Sequence, residues 1–118
     1  MITVKATREG LIGQRTASGY VIDIVVPFVA LPSVQALGKT VRVTNPETGR
    51  YAIAVVLDVG PWNEHDDAYV FGTARPAAEC GVDSRGHKTN GAGIDLSEKV
   101  WTLIGMKDNT SVEWEFIW

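Results

Sequence analysis

Two aspartates stand where apolar runs of the chain meet turn-forming residues. Asp58 closes an apolar run just before Gly60-Pro61, and Asp95 lies in Ile94-Asp95-Leu96-Ser97, where the next ordered segment begins. Side chains at such junctions lie at the rim of a folded domain, where ligands have access. A carboxyl group in a partly apolar groove can hold a proton near neutral pH and deliver it to the reacting group of a substrate. The pattern therefore predicts Asp58 and Asp95 as catalytic carboxyls facing one groove.

Each aspartate also has a purely structural interpretation. An aspartate before Gly-Pro can accept backbone N–H bonds within a turn, and an aspartate near a helix start can cap it. Asp95 precedes the predicted N-cap, Ser97, by two residues, which makes capping less natural there. Both interpretations stay open at the level of the sequence.

A polar segment, residues 62–93, separates the two aspartates and has no strong periodicity of its own. A loop of this length in a compact domain is usually functional or mobile. Trp62 and Tyr69 are candidates for stacking on a ligand, although aromatic side chains equally serve to pin a long loop to the fold. His65 or Glu64 is a candidate for folding over the groove in a lid-like role.

Metal and cofactor chemistry is not predicted. The acidic and imidazole side chains near the start of the 62–93 segment fit no standard zinc spacing, and Cys80 is the only thiol. The glycines of Gly91-Ala92-Gly93 lack the lysine and the strand-to-helix context of a phosphate-binding loop. We therefore expect no metal and no cofactor.

Composition bounds the class of protein. The chain has 118 residues, 45% hydrophobic and 21% charged, which is typical of one soluble globular domain spanning residues 1–118. A net charge of −3 with scattered cations gives no support to nucleic-acid binding. No apolar run approaches the ~20 residues of a membrane span, and the first ten residues lack a secretion-signal pattern. The oligomeric state is not indicated.

The pattern of the chain is mainly β. Apolar and polar residues alternate in Ile2–Ala6, and residues 20–26 are rich in β-branched types, so both segments are predicted strands. Residues 39–58 predict a β-hairpin around the turn Asn45-Pro46-Glu47-Thr48-Gly49. The last strand alternates and places aromatic residues on one face, as core or barrel wall: Trp114, Phe116 and Trp118.

One helix is predicted over residues 97–104. Ser97 is a suitable N-cap, Glu98 suits the positive first turn, and Gly105 suits a left-handed stop. Val100, Trp101 and the residues one turn on form an apolar stripe that faces a core. Periodicity alone therefore predicts a small β protein with one short helix, with a further helical turn possible at residues 34–37.

Several stretches of the chain follow an order found in a known family. They are Gly13-Gln14-Arg15-Thr16-Ala17-Ser18-Gly19, Ala30-Leu31-Pro32, Gly38-Lys39-Thr40-Val41-Arg42-Val43-Thr44-Asn45, Asp58-Val59-Gly60-Pro61, Ile94-Asp95-Leu96-Ser97 and Leu103-Ile104-Gly105-Met106. In this order they resemble the rare lipoprotein A (RlpA-like) domain family. More distant relatives of that fold are expansins, family-45 endoglucanases and the membrane-bound lytic transglycosylase MltA.

The resemblance implies a mainly β, six-stranded double-psi β-barrel with one short helix near residues 97–104 and a long loop at 62–93. It also implies a groove that binds or cleaves a β-1,4-linked glycan, most plausibly peptidoglycan, and action at the cell envelope. Of the three polar positions of RlpA-type enzymes, the aspartate is kept as Asp58, whereas the other two positions are Tyr20 and Phe28. Asp95 matches the acid of the endoglucanase and expansin relatives.

Three functions follow from the resemblance, and the sequence leaves open whether the chain is an enzyme. The first is a lytic transglycosylase or glycosidase-like enzyme using Asp58 and Asp95. The second is a non-catalytic, expansin-like module that binds polysaccharide. The third is a structural or interaction barrel. The residues expected to bind the glycan are Thr16, Ser18, Tyr20, Trp62, His65 and Tyr69.

Overall fold

A computed structural model describes residues 2–117, in which six strands close into a barrel. Around the barrel the strands follow the order β1-β5-β2-β4-β3-β6. Their bounds are β1 Ile2–Arg8, β2 Phe28–Leu31, β3 Thr40–Thr44, β4 Tyr51–Val59, β5 Ile94–Leu96 and β6 Ser111–Ile117. Two α-helices, α1 Asp67–Val70 and α2 Glu98–Leu103, and two 3-10 turns, Val34–Ala36 and Ala77–Cys80, lie between them. The predicted mainly β, six-stranded barrel is confirmed.

The barrel mixes parallel and antiparallel neighbours. β1 runs parallel to β5 and β2 runs parallel to β4, whereas the other four neighbouring pairs are antiparallel. The two long connections of the chain link strands that are not neighbours in the barrel. The 9–27 segment runs from β1 to β2, which lie on opposite sides of β5, and the stretch that contains residues 62–93 runs from β4 to β5, which lie on opposite sides of β2.

The core fills the barrel interior and is almost wholly aliphatic. Alternate residues of the strands face it, as the period of two of a β-strand requires. Examples are Val4 and Ala6 on β1, and Val41 and Val43 on β3, all at most 1% exposed. Trp114 of β6 and Trp101 of α2 add the aromatic part of the core cluster. Trp118, which the alternation also assigned to this face, lies outside the described residues.

The hairpin and the helix form where the sequence predicts them. Residues 40–44 pair with residues 51–55 in antiparallel register across the Asn45–Gly49 turn. The Ser97 side chain accepts a hydrogen bond from Val100 N at the start of α2, and Gly105 has a φ of 71° just beyond its end. The additional helical turn is a 3-10 turn at Val34–Ala36. Both predictions are therefore confirmed to within one or two residues.

The strand predicted over residues 20–26 is wrong. These residues lie in the 9–27 segment, where only Val21 forms an isolated bridge, to Arg15. Asp23 explains the difference, because its Oδ1 accepts hydrogen bonds from Val25 N at 2.9 Å and Val26 N at 3.4 Å. A short acidic side chain that binds the backbone two and three residues on folds the chain into a turn, against the β preference of its neighbours.

The 62–93 segment is ordered against the barrel and is not a featureless loop. Besides α1 and the Ala77–Cys80 turn, it is anchored by Tyr69, which is 1% exposed. The Tyr69 hydroxyl donates to Gly93 O at 2.9 Å and accepts from Trp114 Nε1 at 2.8 Å. Among residues 2–117 no helix has the length and apolar character needed to cross a membrane.

Candidate functional site

Asp58 and Asp95 occupy neighbouring places across three adjacent strands. Asp95 of β5 stands opposite Ala30 of β2 on one side, and Asp58 of β4 stands opposite Ala30 on the other. On the far side of β5, Thr7 of β1 stands opposite Asp95. Directly opposed residues on adjacent strands present their side chains to the same face. The structure therefore brings together the two aspartates that the sequence predicted to share a groove.

That face is the outside of the barrel. Ile94 and Leu96, which flank Asp95, belong to the interior core, so the Asp95 side chain between them is directed outward. Asp58 would face inward by simple alternation from Val56, but the pairing of β2 with β4 shifts between Val29 and Ala30. This β-bulge leaves Leu57 as an extra residue and turns Asp58 to the outer face. The bulge thus brings Asp58 to the same face of the barrel as Asp95.

A third carboxyl group, that of Glu9, joins the two aspartates, and the three form the carboxyl cluster. Glu9 follows β1 two residues after Thr7, and its backbone N–H donates to Leu96 O at 2.9 Å. Its side chain is hydrogen-bonded to Asp58. Glu9 Oε2 is buried, with no partner among the described residues. Sequence reasoning missed Glu9, although the alternation of β1 places it on the same face as Thr7.

Protons stabilise the carboxyl cluster. Burial raises the pKa of Glu9 to about 8, and the Asp58 charge, the hydrogen bond to Asp58 and the Asp95 charge act in the same direction. Burial also raises the pKa of Asp95 to about 6; the hydrogen bond from Thr7 opposes this change, and the Asp58 charge adds to it. At neutral pH Glu9 is therefore mainly protonated, and it donates the hydrogen bond that joins it to Asp58.

Asp58 also fastens the 9–27 segment to the barrel. Its Oδ1 accepts hydrogen bonds from Ala17 N at 2.8 Å and Val59 N at 2.9 Å, and Ser18 N donates to Leu57 O at 3.2 Å. This is the backbone-binding role that the sequence left open for an aspartate before Gly-Pro. Asp58 therefore has a structural role in addition to its place in the carboxyl cluster.

Tyr20 and Phe28, which the resemblance to rare lipoprotein A domains assigned to positions that are polar in that family, contact each other. Their rings meet edge to face with 5.8 Å between centroids, and Phe28 is fully buried. The Tyr20 hydroxyl donates to Asp23 Oδ1 at 2.6 Å, and this bond is the main cause that raises the Tyr20 pKa to about 12. An aromatic pair, with its one polar group already engaged, thus covers this part of the outer face.

Thr16 and Ser18 shape the loop that crosses the site. The Thr16 side chain is buried, lies 2.9 Å from Ser18 Oγ and accepts from Tyr20 N at 3.1 Å. Both hydroxyls therefore stabilise the tight turn whose middle residue, Ala17, binds Asp58. Ser18 remains exposed beside the carboxyl cluster, whereas Thr16 does not.

The three candidate glycan-binding residues on the 62–93 segment differ in exposure and position. Tyr69 is buried in the core, so its ring offers no surface for stacking on a sugar, and it serves instead to pin the segment to the barrel. Trp62 is 40% exposed and directly follows the Gly60-Pro61 turn beside the cluster. His65 is exposed and pairs with Ser33. Trp62 and His65 line a pocket of about 260 Å³ formed by the segment itself.

The carboxyl cluster is not arranged as a metal site. Among residues 2–117 no three His, Cys, Asp or Glu side chains are placed so that they could hold a metal ion. Hydrogen bonds and bound protons reduce the repulsion among the three carboxyl groups instead. Such a cluster can donate hydrogen bonds, accept them, or transfer a proton.

Comparison with known proteins places the chain in a family. The model of a family described as a domain of unknown function, DUF8814, matches residues 1–115. The chain belongs to this family. A search of curated proteins by sequence found no match.

Two solved structures share the architecture of this DUF8814 chain. Cerato-platanin 3 from M. perniciosa aligns with a TM-score of 0.57 and 11% identity, covering 98% of this chain and 94% of the other. A Streptomyces papain inhibitor aligns with a TM-score of 0.51 and 17% identity, covering 96% and 92%. Because these identities are low, the two likenesses show the fold alone, a closed six-stranded mixed β-barrel of the double-psi type. The nearer resemblance to rare lipoprotein A domains stays a prediction.

Proposed function

We propose that this chain is a non-catalytic polysaccharide-binding barrel, with a β-1,4-linked glycan such as peptidoglycan as its ligand. The glycan lies along the outer face, across the carboxyl cluster and the exposed Ser18. The observation that carries the proposal is the grouping of Glu9, Asp58 and Asp95 around Ala30 on an outer face partly open to solvent. The likeness to a cerato-platanin is in keeping with such a role. The proposal places the protein at the cell envelope, where peptidoglycan is found.

The chemistry of the carboxyl cluster suits a neutral, hydroxylated ligand. Sugar hydroxyls both donate and accept hydrogen bonds, and a cluster that holds a proton at neutral pH offers both kinds of partner. Asp58, Asp95 and Glu9 are each partly exposed, so a ligand on the outer face can contact the cluster directly.

The aromatic pair supports binding without cleavage. Tyr20 and Phe28 occupy the positions at which the RlpA-type mechanism uses two polar side chains, and Tyr20 already donates to Asp23. Neither residue can act there as a glutamate or histidine would. The resemblance thus retains one member of that catalytic set, Asp58, which is engaged with two backbone N–H groups.

Sedimentation with purified sacculi tests the proposal. The wild-type chain is expected to pellet with sacculi and to release no soluble product detectable by mass spectrometry. Asp95→Asn removes a carboxyl group that can ionise, and Glu9→Ala removes the protonated carboxyl group of Glu9; each is expected to weaken binding about tenfold. Asp108→Asn, at an exposed turn away from the cluster, is the matched control. Wild-type protein that stays in the supernatant contradicts the proposal.

Acid-catalysed cleavage is the second candidate, favoured by one observation. Asp95 has a pKa of about 6 and lies near the charge of Asp58, so a proton donor and a carboxylate stand side by side near neutral pH. A lytic transglycosylase needs only one acid, because a substrate hydroxyl attacks within the molecule. Anhydro-muropeptides or new reducing ends that disappear in Asp95→Asn establish this candidate and displace the non-catalytic one.

A protein partner is the third candidate. The 9–27 segment exposes aliphatic side chains that are 45–66% accessible: Leu11, Ile12, Val21, Ile24 and Val25. A grouping of exposed aliphatics is typical of interaction surfaces. The similar Streptomyces protein is named as a papain inhibitor, which suggests a papain-like protease as the first partner to assay. Inhibition of papain that is lost in Ile24→Ser/Val25→Ser supports this candidate.

A further inference from the structure

The 62–93 segment encloses a small pocket that the carboxyl cluster does not use. Its two arms are joined by backbone-to-side-chain hydrogen bonds, from Ser84 N to Asn63 Oδ1 at 2.9 Å and from Ala77 N to Asp66 Oδ2 at 2.7 Å. Between these two links lies the pocket of about 260 Å³. This volume is just under the roughly 300–1,000 Å³ of sites for drug-sized ligands, so the pocket suits a single ring.

One wall of the pocket is the indole of Trp62, held in a fixed orientation. Trp62 Nε1 donates to Asn90 Oδ1 at 2.9 Å, and that same oxygen accepts from Ala92 N at 3.0 Å. Lys5 Nζ donates to Asn90 O at 3.0 Å and so ties this end of the segment to β1. A large exposed ring that is already ordered loses little entropy when a flat ligand packs on it.

The backbone at Trp62 is also unusual. Its φ is 70°, in the left-handed region that bulky non-glycine residues seldom occupy. Conformations of this kind cost on the order of 1–3 kcal/mol and occur most often at ligand-binding and active sites. Within residues 2–117, Leu11 is the only other non-glycine residue with positive φ. The residue that supplies the aromatic wall of the pocket thus has a strained backbone.

The polar rim of the pocket points to a neutral ligand with several hydroxyl or amide groups. Glu64 and Asp66 contribute carboxylates, Arg85 contributes a guanidinium group and His65 an imidazole, so the rim offers both hydrogen-bond donors and acceptors. Hydroxyl and amide groups of a neutral ligand can bind to both kinds of partner. Among residues 2–117 the side chains of Glu64, His65 and Arg85 make no hydrogen bond or ion pair, so their polar groups are available to a ligand.

The pocket lies next to the carboxyl cluster along the chain. Trp62 follows Gly60 by two residues, and a Cβ built on Gly60 would lie 3.9 Å from Asp95 Oδ2. A chain of linked sugars bound at the cluster can therefore place a neighbouring ring on Trp62. We propose that this pocket is a subsite for one N-acetylated hexose ring, with Trp62 as the stacking surface and Glu64 and Arg85 as hydrogen-bonding partners. This inference rests on the proposed polysaccharide function.

The test is a nuclear magnetic resonance titration of the full chain with the hexamer of β-1,4-linked N-acetylglucosamine. The indole N–H signal of Trp62 is identified by its loss in Trp62→Phe, and we expect it to shift on titration. Trp62→Ala is expected to weaken binding about tenfold, and Trp62→Phe less. Because Trp62→Ala also removes the bond to Asn90, Glu64→Ala and Arg85→Ala provide variants that leave the fold intact; each should weaken binding about threefold.

Tyr51→Ala, an exposed aromatic on β4 outside the pocket, is the matched control and should bind like the wild type. Binding that is lost in Asp95→Asn but unchanged in Trp62→Ala, Glu64→Ala and Arg85→Ala overturns the subsite and leaves the proposed function standing. Binding that depends on Trp62 but is unchanged in Asp95→Asn and Glu9→Ala supports the pocket and overturns the role of the carboxyl cluster. If the hexamer does not bind and the Trp62 signal does not move, the subsite is overturned. The proposed function is tested separately in that case, by sedimentation with sacculi.

Discussion

Asp58 accepts a hydrogen bond from the backbone N–H of Ala17, 41 residues earlier in the chain, at 2.8 Å. The bond joins the C-terminal end of β4 to the middle of the 9–27 segment, so the carboxyl cluster is connected directly to the loop that covers it. The same Oδ1 accepts from Val59 N, and the Glu9 side chain is hydrogen-bonded to Asp58. Removal of this carboxyl group should therefore affect both the loop and the proton on Glu9.

Asp58→Ala is expected to lower the free energy of unfolding by about 2 kcal/mol, because two backbone N–H groups lose their acceptor. Asp58→Asn keeps an acceptor oxygen in the same place and should lose about half as much. Urea denaturation measures both values, and hydrogen exchange at Ala17 should become faster in Asp58→Ala. An unchanged exchange rate at Ala17 in Asp58→Ala would show that the bond does not hold the loop.

The protonated state of Glu9 makes stability depend on pH in an unusual direction. An unfolded chain releases this proton near pH 4.5, whereas the folded chain keeps it up to about pH 8. Between these values the folded state binds more protons, so the free energy of unfolding falls as pH rises. Asp95 acts in the same direction between pH 3.8 and about 6. Partial exposure of Glu9 screens the effect, so we expect a decrease of about 2 kcal/mol from pH 5 to pH 9.

Urea midpoints measured from pH 5 to pH 9 test this dependence. Glu9→Gln has no proton to release and should remove most of the slope. Glu47→Gln, at the exposed hairpin turn, serves as the control and should keep the wild-type slope. A wild-type chain whose stability rises steadily between pH 5 and pH 8 would contradict the assignment of a proton to Glu9.

Local sequence signals predicted the parts of the fold whose causes are local. The hairpin at 39–58 follows from alternation around a proline–glycine turn, and α2 follows from the cap at Ser97 and the stop at Gly105. The junction of apolar runs with turn residues correctly placed Asp58 near the end of a strand and Asp95 where the next ordered segment begins, which is β5. These features depend on residues only a few positions apart, which a single sequence displays directly.

The features that the sequence did not predict depend on contacts between residues far apart in the chain. Residues 20–26 have β-branched side chains, yet Asp23 binds the backbone beyond it and no neighbouring strand is available to pair with them. Glu9 carries no local sign of function, because its raised pKa arises from burial and from two aspartates far along the chain. The bulge that turns Asp58 outward is a property of the pairing of β2 with β4. Periodicity within one strand contains no information about such a shift.

Tyr69 should prove essential to the docking of the 62–93 segment. Tyr69→Phe leaves Gly93 O without its donor and Trp114 Nε1 without its acceptor, both in the buried interior. We expect a loss of about 2–3 kcal/mol in the free energy of unfolding. Tyr51→Phe removes a hydroxyl from an exposed ring and should change stability by less than about 0.5 kcal/mol. Equal urea midpoints for the two variants would contradict the anchoring role.

Ser97 joins the helix to the strands that carry the carboxyl cluster. Its Oγ accepts from Phe28 N at 3.0 Å and from Val100 N at 3.3 Å, and the residue is 1% exposed. The first bond fixes the start of β2 against the end of β5, next to the pair formed by Ala30 and Asp95. The second bond caps α2.

Ser97→Ala removes both bonds and leaves two N–H groups without partners, so we expect a loss of about 2 kcal/mol. Thr102→Ala, on the exposed side of α2, is the matched control and should be neutral or slightly stabilising, because alanine favours the helix. Thermal and urea denaturation measure both variants. Since Ser97 orders β2 beside β5, Ser97→Ala should also lower the pKa of Asp95 by loosening its surroundings, which carboxyl resonances followed through a pH titration would detect. A stable Ser97→Ala with an unshifted Asp95 titration would show that the cluster is positioned by the strands alone.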